Sequence, residues 1–305
     1  MPFSPNPYAT LKEAARYVRL FRGKTFVVKV GGEVIEDPKI RRTLCEQIAL
    51  LSSFSIRVVL VHGGGSALDA VCRSMQIPIE KVAGRRVTSP QVLDVAKMIF
   101  TGQVHMDLLA ELQAAGVQAV GLSGVDAGLV KAVKRPPVKV VPDGATEPVL
   151  VDYGLVGDVQ SIDPTVLKHL LEGGFVPVVA PLSGGPDGAI YNTNADTIAA
   201  TLAAALGAEK LFFLLSVPGL LEDLARPSSL IPHVTLNQMA DLEARGIIKG
   251  GMRPKAAAIK SALQGGVLSA HLVSGLAPDA LLAEVFTNEG SGTMIEAQEG
   301  AGVAG

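Results

Sequence analysis

Short apolar runs alternate with longer stretches in which apolar residues recur every three or four positions, and the alternation continues along almost the whole chain. Phe26, Val27, Val28 and Val30 favour β structure and predict a short buried strand within residues 25–33. Runs of the same kind predict strands at 57–61, 117–123, 176–180, 211–215 and 268–273. Helical spacing appears between them. Asp37-Pro38 opens a helix with Ile40, Leu44, Ile48 and Leu51 on one face, and Ser89-Pro90 opens another that reaches about residue 115. Further helices are predicted at 164–171, in the alanine-rich stretch to Leu206, on either side of 249–255, and at 279–286. Residues 129–159 break the pattern with short strands and Pro/Gly punctuation, as antiparallel hairpins do. Residues 290–295 predict a closing strand and 296–305 a frayed tail. This alternation predicts an α/β fold, an open three-layer αβα sandwich with a mainly parallel central sheet. Two lobes are expected, 1–193 and 194–305, meeting at the turn before Asp196. Ahead of the first strand, Leu11, Ala14, Ala15, Val18 and Phe21 predict an amphipathic helix over 10–21 with Thr10 as its cap. That helix has no obvious place in the layers, so its apolar stripe calls for a partner.

Composition narrows the function. The chain has 305 residues, 48% of them hydrophobic, enough for a sizeable core. A formal charge of −2, no long basic run and no tryptophan point away from nucleic acid. No run approaches the ~18 apolar residues of a membrane span, and residues 1–20 lack a signal core. The two cysteines, Cys45 and Cys72, match neither a metal spacing nor a disulfide framework, which fits a reducing cytoplasm.

The candidate chemistry lies where strands end. Glycine-rich turns follow predicted strands at Gly31-Gly32, Gly63 to Gly65, Gly124 to Gly128 and Gly184 to Gly188. In a parallel sheet such turns gather at one edge, where ligands bind. Neither GxxxxGK[ST] nor a strand-following GxGxxG is present. What remains is a set of cations and an acid: Lys29, Arg86, Lys255 and Asp196. Two lysines and aimed N–H groups suit a phosphoryl group in transfer, and the planar fork of Arg86 suits a carboxylate. Asp196 is placed to organise the lysines, and Asn192 and Asn194 to orient a substrate. Each residue alone also fits a solvated or capping role, and Asp196 a first-turn helix acid. His62, without a ligand-spaced neighbour, reads as structural, and no metal site is expected.

The ordered set Lys29-Val-Gly-Gly, Val61-His-Gly-Gly-Gly, Gly84-Arg-Arg-Val-Thr, Gly121-Leu-Ser-Gly, Asn192-Thr-Asn-Ala-Asp-Thr, Val217-Pro-Gly and Gly250-Gly-Met-Arg-Pro-Lys resembles the amino acid kinase family, most nearly its acetylglutamate-phosphorylating branch. The resemblance spans about residues 10–295. It implies ATP-dependent phosphorylation of the side-chain carboxylate of N-acetyl-L-glutamate in arginine synthesis, with Mg²⁺ on the nucleotide. By that likeness Lys29 and Lys255 stabilise the transferring phosphoryl and Asp196 organises them. Gly31, Gly32, Gly64 and Gly65 offer N–H groups, and Arg86, Asn192 and Asn194 hold the acylamino acid. Ser216, Gly219 and Gly251 fall to the nucleotide. The resemblance also implies a homodimer through the N-lobe sheet. Joined further through the N-terminal helix and Tyr17, it would make a hexamer with arginine as feedback inhibitor, near Glu284 and residues 274–276.

Three positions depart from the family pattern: Ser216 where an aspartate usually precedes Val-Pro-Gly, Arg85 for the usual leucine, and Val125 for a lysine. A kinase acting on another acylated or carrier-linked glutamate or aminoadipate in lysine synthesis remains open. So does a non-catalytic arginine or nucleotide sensor.

Overall fold

The computed structural model describes residues 7–141 and 147–298; the turn expected at 142–144 and the end of the expected tail fall outside these. The chain opens with α1 (Pro7–Phe21) and enters β1 (Thr25–Val30). A short α2 (Gly32–Glu36) and the longer α3 (Pro38–Ser53) lead to β2 (Arg57–His62) and α4 (Gly65–Ser74). A small hairpin, β3 (Lys81–Val82) and β4 (Arg85–Arg86), precedes α5 (Pro90–Met98), a π-helical turn (Ile99–Gln103) and α6 (Val104–Ala114). Then follow β5 (Ala119–Gly124), β6 (Val130–Lys134), β7 (Val138–Val140), β8 (Val149–Val151), β9 (Gly157–Ile162) and α7 (Thr165–Glu172). The long β10 (Val176–Gly184) is followed by β11 (Ile190–Asn192), α8 (Ala195–Ala205), β12 (Lys210–Leu215), β13 (His233–Thr235) and α9 (Leu236–Ala244). The last elements are α10 (Met252–Gln264), β14 (Ser269–Ser274), α11 (Ala280–Phe286) and β15 (Thr293–Glu296).

Eleven strands form one sheet in the order β13-β15-β14-β12-β1-β2-β10-β6-β9, with β5 and β11 also paired to β10. β1 lies at its centre, parallel to β12 and β2. The antiparallel pairs are at the margins, β14 with β15, β6 with β9 and β10 with β11. Helices cover both faces, as the alternation predicts.

β1 shows how the sequence builds this. Its side chains alternate between faces. Phe26, Val28 and Val30 join Leu44 and Ile48 of α3 in one apolar cluster; Val27 joins Ile198 of α8 and Ile259 of α10 in the other. Lys29 shares the face of Val27, so it emerges beneath α8 and α10 rather than α3. Each fully buried valine or leucine contributes about 1.5–3 kcal/mol, which fixes this register firmly. Both clusters draw residues from before and after position 193, for example Leu60 with Leu214 and Val59 with Phe213, so the core is continuous across the expected lobe boundary.

The local signals behave as the residues dictate. Asp37 caps α3 by accepting from the N–H groups of Lys39 and Ile40, and Ser89 caps α5 by accepting from Val92. Three expectations are corrected. Thr10 lies inside α1, which starts at Pro7. Residues 252–255 are the first turn of α10, not a linker between helices, because Gly251 ends the loop and Pro254 is tolerated in a first turn. Glu296 is no tail residue: it sits in β15, almost fully buried, with His233 Nε2 3.1 Å from its carboxylate.

The stripe on α1 is partly used by its own chain. Phe21 is buried against Phe26, and Tyr17 packs on the same cluster and donates to Asn288 Oδ1 at 2.5 Å, just beyond α11.

Candidate active site

The C-terminal ends of β1, β2 and β12 bring the predicted cations together. Lys29, from β1, and Lys255, from the first turn of α10, lie 2.8 and 3.1 Å from the two carboxylate oxygens of Asp196. Asp196 sits in the first turn of α8, where a negative charge suits the helix dipole; Lys255 sits where a positive charge does not, and Asp196 compensates it. Burial alone would raise the Asp196 carboxyl, but Lys29 and then Lys255 outweigh it and hold it below the usual carboxylate range. Positions 29, 196 and 255 thus form one cationic triad, net positive by one charge.

Two adjoining cavities open beside this triad. One, about 540 Å³, is lined by Lys29, Gly31, Gly32, Ser216, Gly251 and Lys255, with Asp69 and Arg86 at its rim. The other, about 230 Å³, is lined by Gly64, Gly65, Arg85, Arg86, Asn192 and Asn194, with Phe100 and Arg135. Gly65, Gly84 and Arg86 border both. Gly64 and Gly65 open α4, and the first-turn N–H groups of a helix have no intrahelical partner. One of them, on Ala67, is taken by Glu36, which also accepts from the Ser66 hydroxyl.

Several expected roles meet different geometry. Gly31 donates its N–H to Leu214 O at 3.3 Å, so that group is spent inside the sheet. Gly219 is buried against Thr293 and lines neither cavity. The turns at 124–128 and 184–188 also line neither, because β10 runs on past its pairing with β2 and carries its turn beyond the cavities. The fork of Arg86 is occupied: Nε and Nη2 donate to Asp69 Oδ1 at 3.1 and 2.5 Å, and Nη2 also to Gly65 O at 2.8 Å. Asn192 donates to Thr88 Oγ1 at 3.0 Å, and Asn194 Oδ1 caps α8 by accepting from Thr197 N–H.

Asp69 and Phe100 matter here although sequence reasoning passed over them, and His62, expected to be structural, has a buried partner. Asp69 binds both Arg86 and Lys81, the latter at 2.6 Å. Burial would raise its carboxyl, but hydrogen bonds from Lys81 and then Arg86 outweigh this and lower it. Phe100, in the π-helical turn, packs so close to Gly64 that a Cβ there would lie 3.0 Å from its ring. His62 has a partner forty-three positions away: His105 Nδ1 lies 2.8 Å from His62 Nε2, while His62 Nδ1 donates to Gly63 O at 2.8 Å. Burial pushes His62 down to about 4, so the neutral pair pins the start of the glycine turn. The one sequence signal for any of these was Asp69, an acid among the apolar positions inside α4.

A second buried cluster lies away from the triad. His271 bonds Glu284 Oε1 through Nδ1 at 2.7 Å, and Lys210 and Ser269 approach its Nε2 at 3.0 and 2.9 Å. Glu284 Oε2 accepts from the N–H groups of Ser291 and Gly292, so this carboxylate is fully engaged.

Among the described residues no cluster of histidine, cysteine, aspartate or glutamate could hold a metal ion, and no helix is long and apolar enough to cross a membrane. The sequence pattern described as "Amino acid kinase family" matches residues 24–274. The acetylglutamate kinase of Myxococcus xanthus is 63% identical over 308 residues, covering 100% of both chains. In solved structures, an N-acetylglutamate synthase of Neisseria gonorrhoeae complexed with coenzyme A and N-acetyl-glutamate superposes with a TM-score of 0.79 at 29% identity, over 96% of this chain and 64% of that longer one. The same synthase complexed with coenzyme A and L-arginine gives 0.77 at 27% identity, over 96% and 66%. With a mainly parallel sheet whose central strand brings Lys29 to Asp196 of α8 and, through it, Lys255 of α10, and with a match along most of its length, the chain belongs to the amino acid kinase family.

Proposed function

We propose that this chain is a kinase that uses ATP to phosphorylate the side-chain carboxylate of N-acetyl-L-glutamate, a step of arginine synthesis. The observation that carries the reading is Asp196 holding Lys29 and Lys255 in the wall of the larger cavity, which the smaller one adjoins through Gly65, Gly84 and Arg86. The relative that matches over its full length carries the name of that activity.

The chemistry follows from the groups present. A glutamate side-chain carboxylate has a pKa near ~4.3 and is already ionised at neutral pH, so no general base is needed. A carboxylate oxygen forms a bond to the γ-phosphorus while the bond from that phosphorus to the bridging oxygen breaks, and the electron pair leaves on ADP. Lys29 and Lys255 neutralise the charge on the equatorial oxygens, and the N–H groups of Gly32, Gly64 and Gly65 add fixed dipoles. Asp196, locked between the lysines, positions them and takes no proton. The donor set is cationic and fits phosphate oxygens; Mg²⁺ would arrive on the nucleotide and neutralise its phosphates. The larger cavity, with Ser216 and Gly251, takes the nucleotide. The smaller takes the acylamino acid, with Arg86 offering its remaining Nη1 and Asn192 and Asn194 their amide groups. On this reading residues 1–193 serve mainly the acceptor and 194–305 mainly ATP, in a cytoplasmic enzyme.

Assembly and regulation belong to the same proposal. A homodimer through the N-lobe sheet, joined further through α1 into a hexamer, would place arginine between α1 and the C-terminal lobe as feedback inhibitor. Tyr17 reaching Asn288 beside α11, the helix of Glu284, supports that position, as does the arginine complex of the similar synthase. Because Phe21 is a core residue, the fair truncation begins at Tyr17. Unchanged mass and unchanged arginine response on that truncation combined with Tyr17→Ala would remove the role of α1.

The activity itself is tested by trapping the acyl phosphate with hydroxylamine after incubation with ATP and a panel of acetylglutamate, succinylglutamate and aminoadipate derivatives. Best turnover with acetylglutamate is expected. No turnover with any acceptor, despite nucleotide binding, would overturn the kinase reading.

A further inference from the structure

Three guanidinium groups line the smaller cavity, those of Arg85, Arg86 and Arg135, and no carboxylate lines it with them. Two are matched. Arg86 bonds Asp69, and Arg135 bonds Asp158 Oδ1 at 2.8 and 2.5 Å while lying over the Tyr153 ring. Arg85 is different. It is half-buried and makes no hydrogen bond or ion pair among the described residues.

The backbone explains why neighbours in sequence differ. Arg85 and Arg86 are the two residues of β4, so their side chains point to opposite faces. Ala83 and Gly84, both at positive φ (48° and 73°), make the tight turn that returns the chain from β3. Arg86 is thereby turned onto Asp69 and Gly65, and Arg85 toward Arg135 and Tyr153.

A half-buried cation loses hydration, and here a second cation lies close by. Burial first, then Arg135, lower the basicity of Arg85, and Asp158, which could offset this, is already bonded to Arg135. An anion entering the cavity would replace the lost hydration with charge-assisted hydrogen bonds and screen the two cations from each other. The planar donor fork selects a carboxylate, which it can bind in a bidentate manner.

We infer that Arg85 is a second carboxylate-binding residue of the acceptor cavity, with its fork free where that of Arg86 is taken. This rests on the acceptor reading of that cavity given above. The carboxylate has two sources, the α-carboxylate of an N-acylglutamate or a carboxylate ending the acyl group, as in N-succinylglutamate.

The test compares Arg85→Leu and Arg85→Lys with the unaltered protein. The acceptors are N-acetyl-L-glutamate, its α-amide and N-succinyl-L-glutamate, and KM for ATP and Tm are read alongside. In Arg85→Leu a KM increase of about tenfold or more is expected for a carboxylate-bearing acceptor, with kcat little changed. Arg85→Lys should recover part of it. An increase for N-acetylglutamate that is absent for the α-amide identifies the α-carboxylate. An increase confined to N-succinylglutamate identifies the acyl end. Acceptor KM values all within about twofold of the unaltered protein, or an equal rise for the α-amide and for ATP, would overturn the inference. Turnover by the unaltered protein, read in the same assay, separates that failure from a failure of the kinase reading.

Discussion

Arg86 and Asp69 are bound twice, through Nε at 3.1 Å and Nη2 at 2.5 Å, and the same carboxylate holds Lys81. The arginine at the border of the two cavities is therefore held by an acid from α4. Asp69→Asn should raise KM for the acylamino acid and leave KM for ATP nearly unchanged, because it frees Arg86 to swing. Arg86→Lys should do the same, since lysine cannot keep both Asp69 and Gly65 O. Steady-state kinetics with each substrate varied in turn checks both. A shift in KM for ATP alone would put Arg86 on the nucleotide side.

Lys29→Ala and Lys255→Ala should each lower kcat by ~10²–10³-fold, the usual cost of one preorganised charge. Stability should separate the triad in another way. Lys29→Met leaves Asp196 paired with Lys255, whereas Asp196→Asn leaves two lysines side by side, one of them almost fully buried. Removing one partner of a buried ion pair costs about 3–5 kcal/mol. Asp196→Asn is thus expected to lower Tm more than Lys29→Met, as measured by thermal unfolding at neutral pH. The reverse order would mean that Asp196 is not the keystone of the group.

Gly64→Ala should lower both activity and stability, because the new methyl meets the Phe100 ring at 3.0 Å. Phe100→Leu in the same chain should restore much of the loss by opening that space. Gly251, with nothing within 4 Å of a Cβ, provides the contrast: Gly251→Ala should leave folding unaffected. Unfolding midpoints of the variants decide the matter, and equal loss at both glycines would contradict the packing argument.

His62 and His271 are both pushed down to about 4 by burial, and His105 is lowered as well. In the unfolded chain these groups titrate near ~6.5. Between those values the unfolded state binds more protons, so stability rises with pH. This contribution should be fully present above about pH 6.5 and be lost as pH falls toward 4. Denaturant midpoints across that interval should fall steeply. The double variant His62→Gln, His105→Asn should flatten the slope, and an unchanged slope would show that the pair carries none of it.

The sequence by itself determined the layers. Period-two and period-three-to-four spacing is written locally, and burial of one face is enough to sort strands such as β1 from helices such as α3. It also determined which residues could bear chemistry, because lysines beside glycines and an aspartate after Asn-Thr-Asn-Ala are costly unless used. What it could not decide was pairing. Asp69 and Arg86 are seventeen positions apart, His62 and His105 forty-three, and Lys29 and Asp196 meet only because alternation along β1 turns Lys29 to the face covered by α8. The same dependence on tertiary contact spent the Gly31 N–H on Leu214, buried Gly219 against Thr293, occupied the fork of Arg86 and left that of Arg85 free. Hydrogen-bond and charge partners are chosen by distance in the folded chain, and no local pattern encodes that distance.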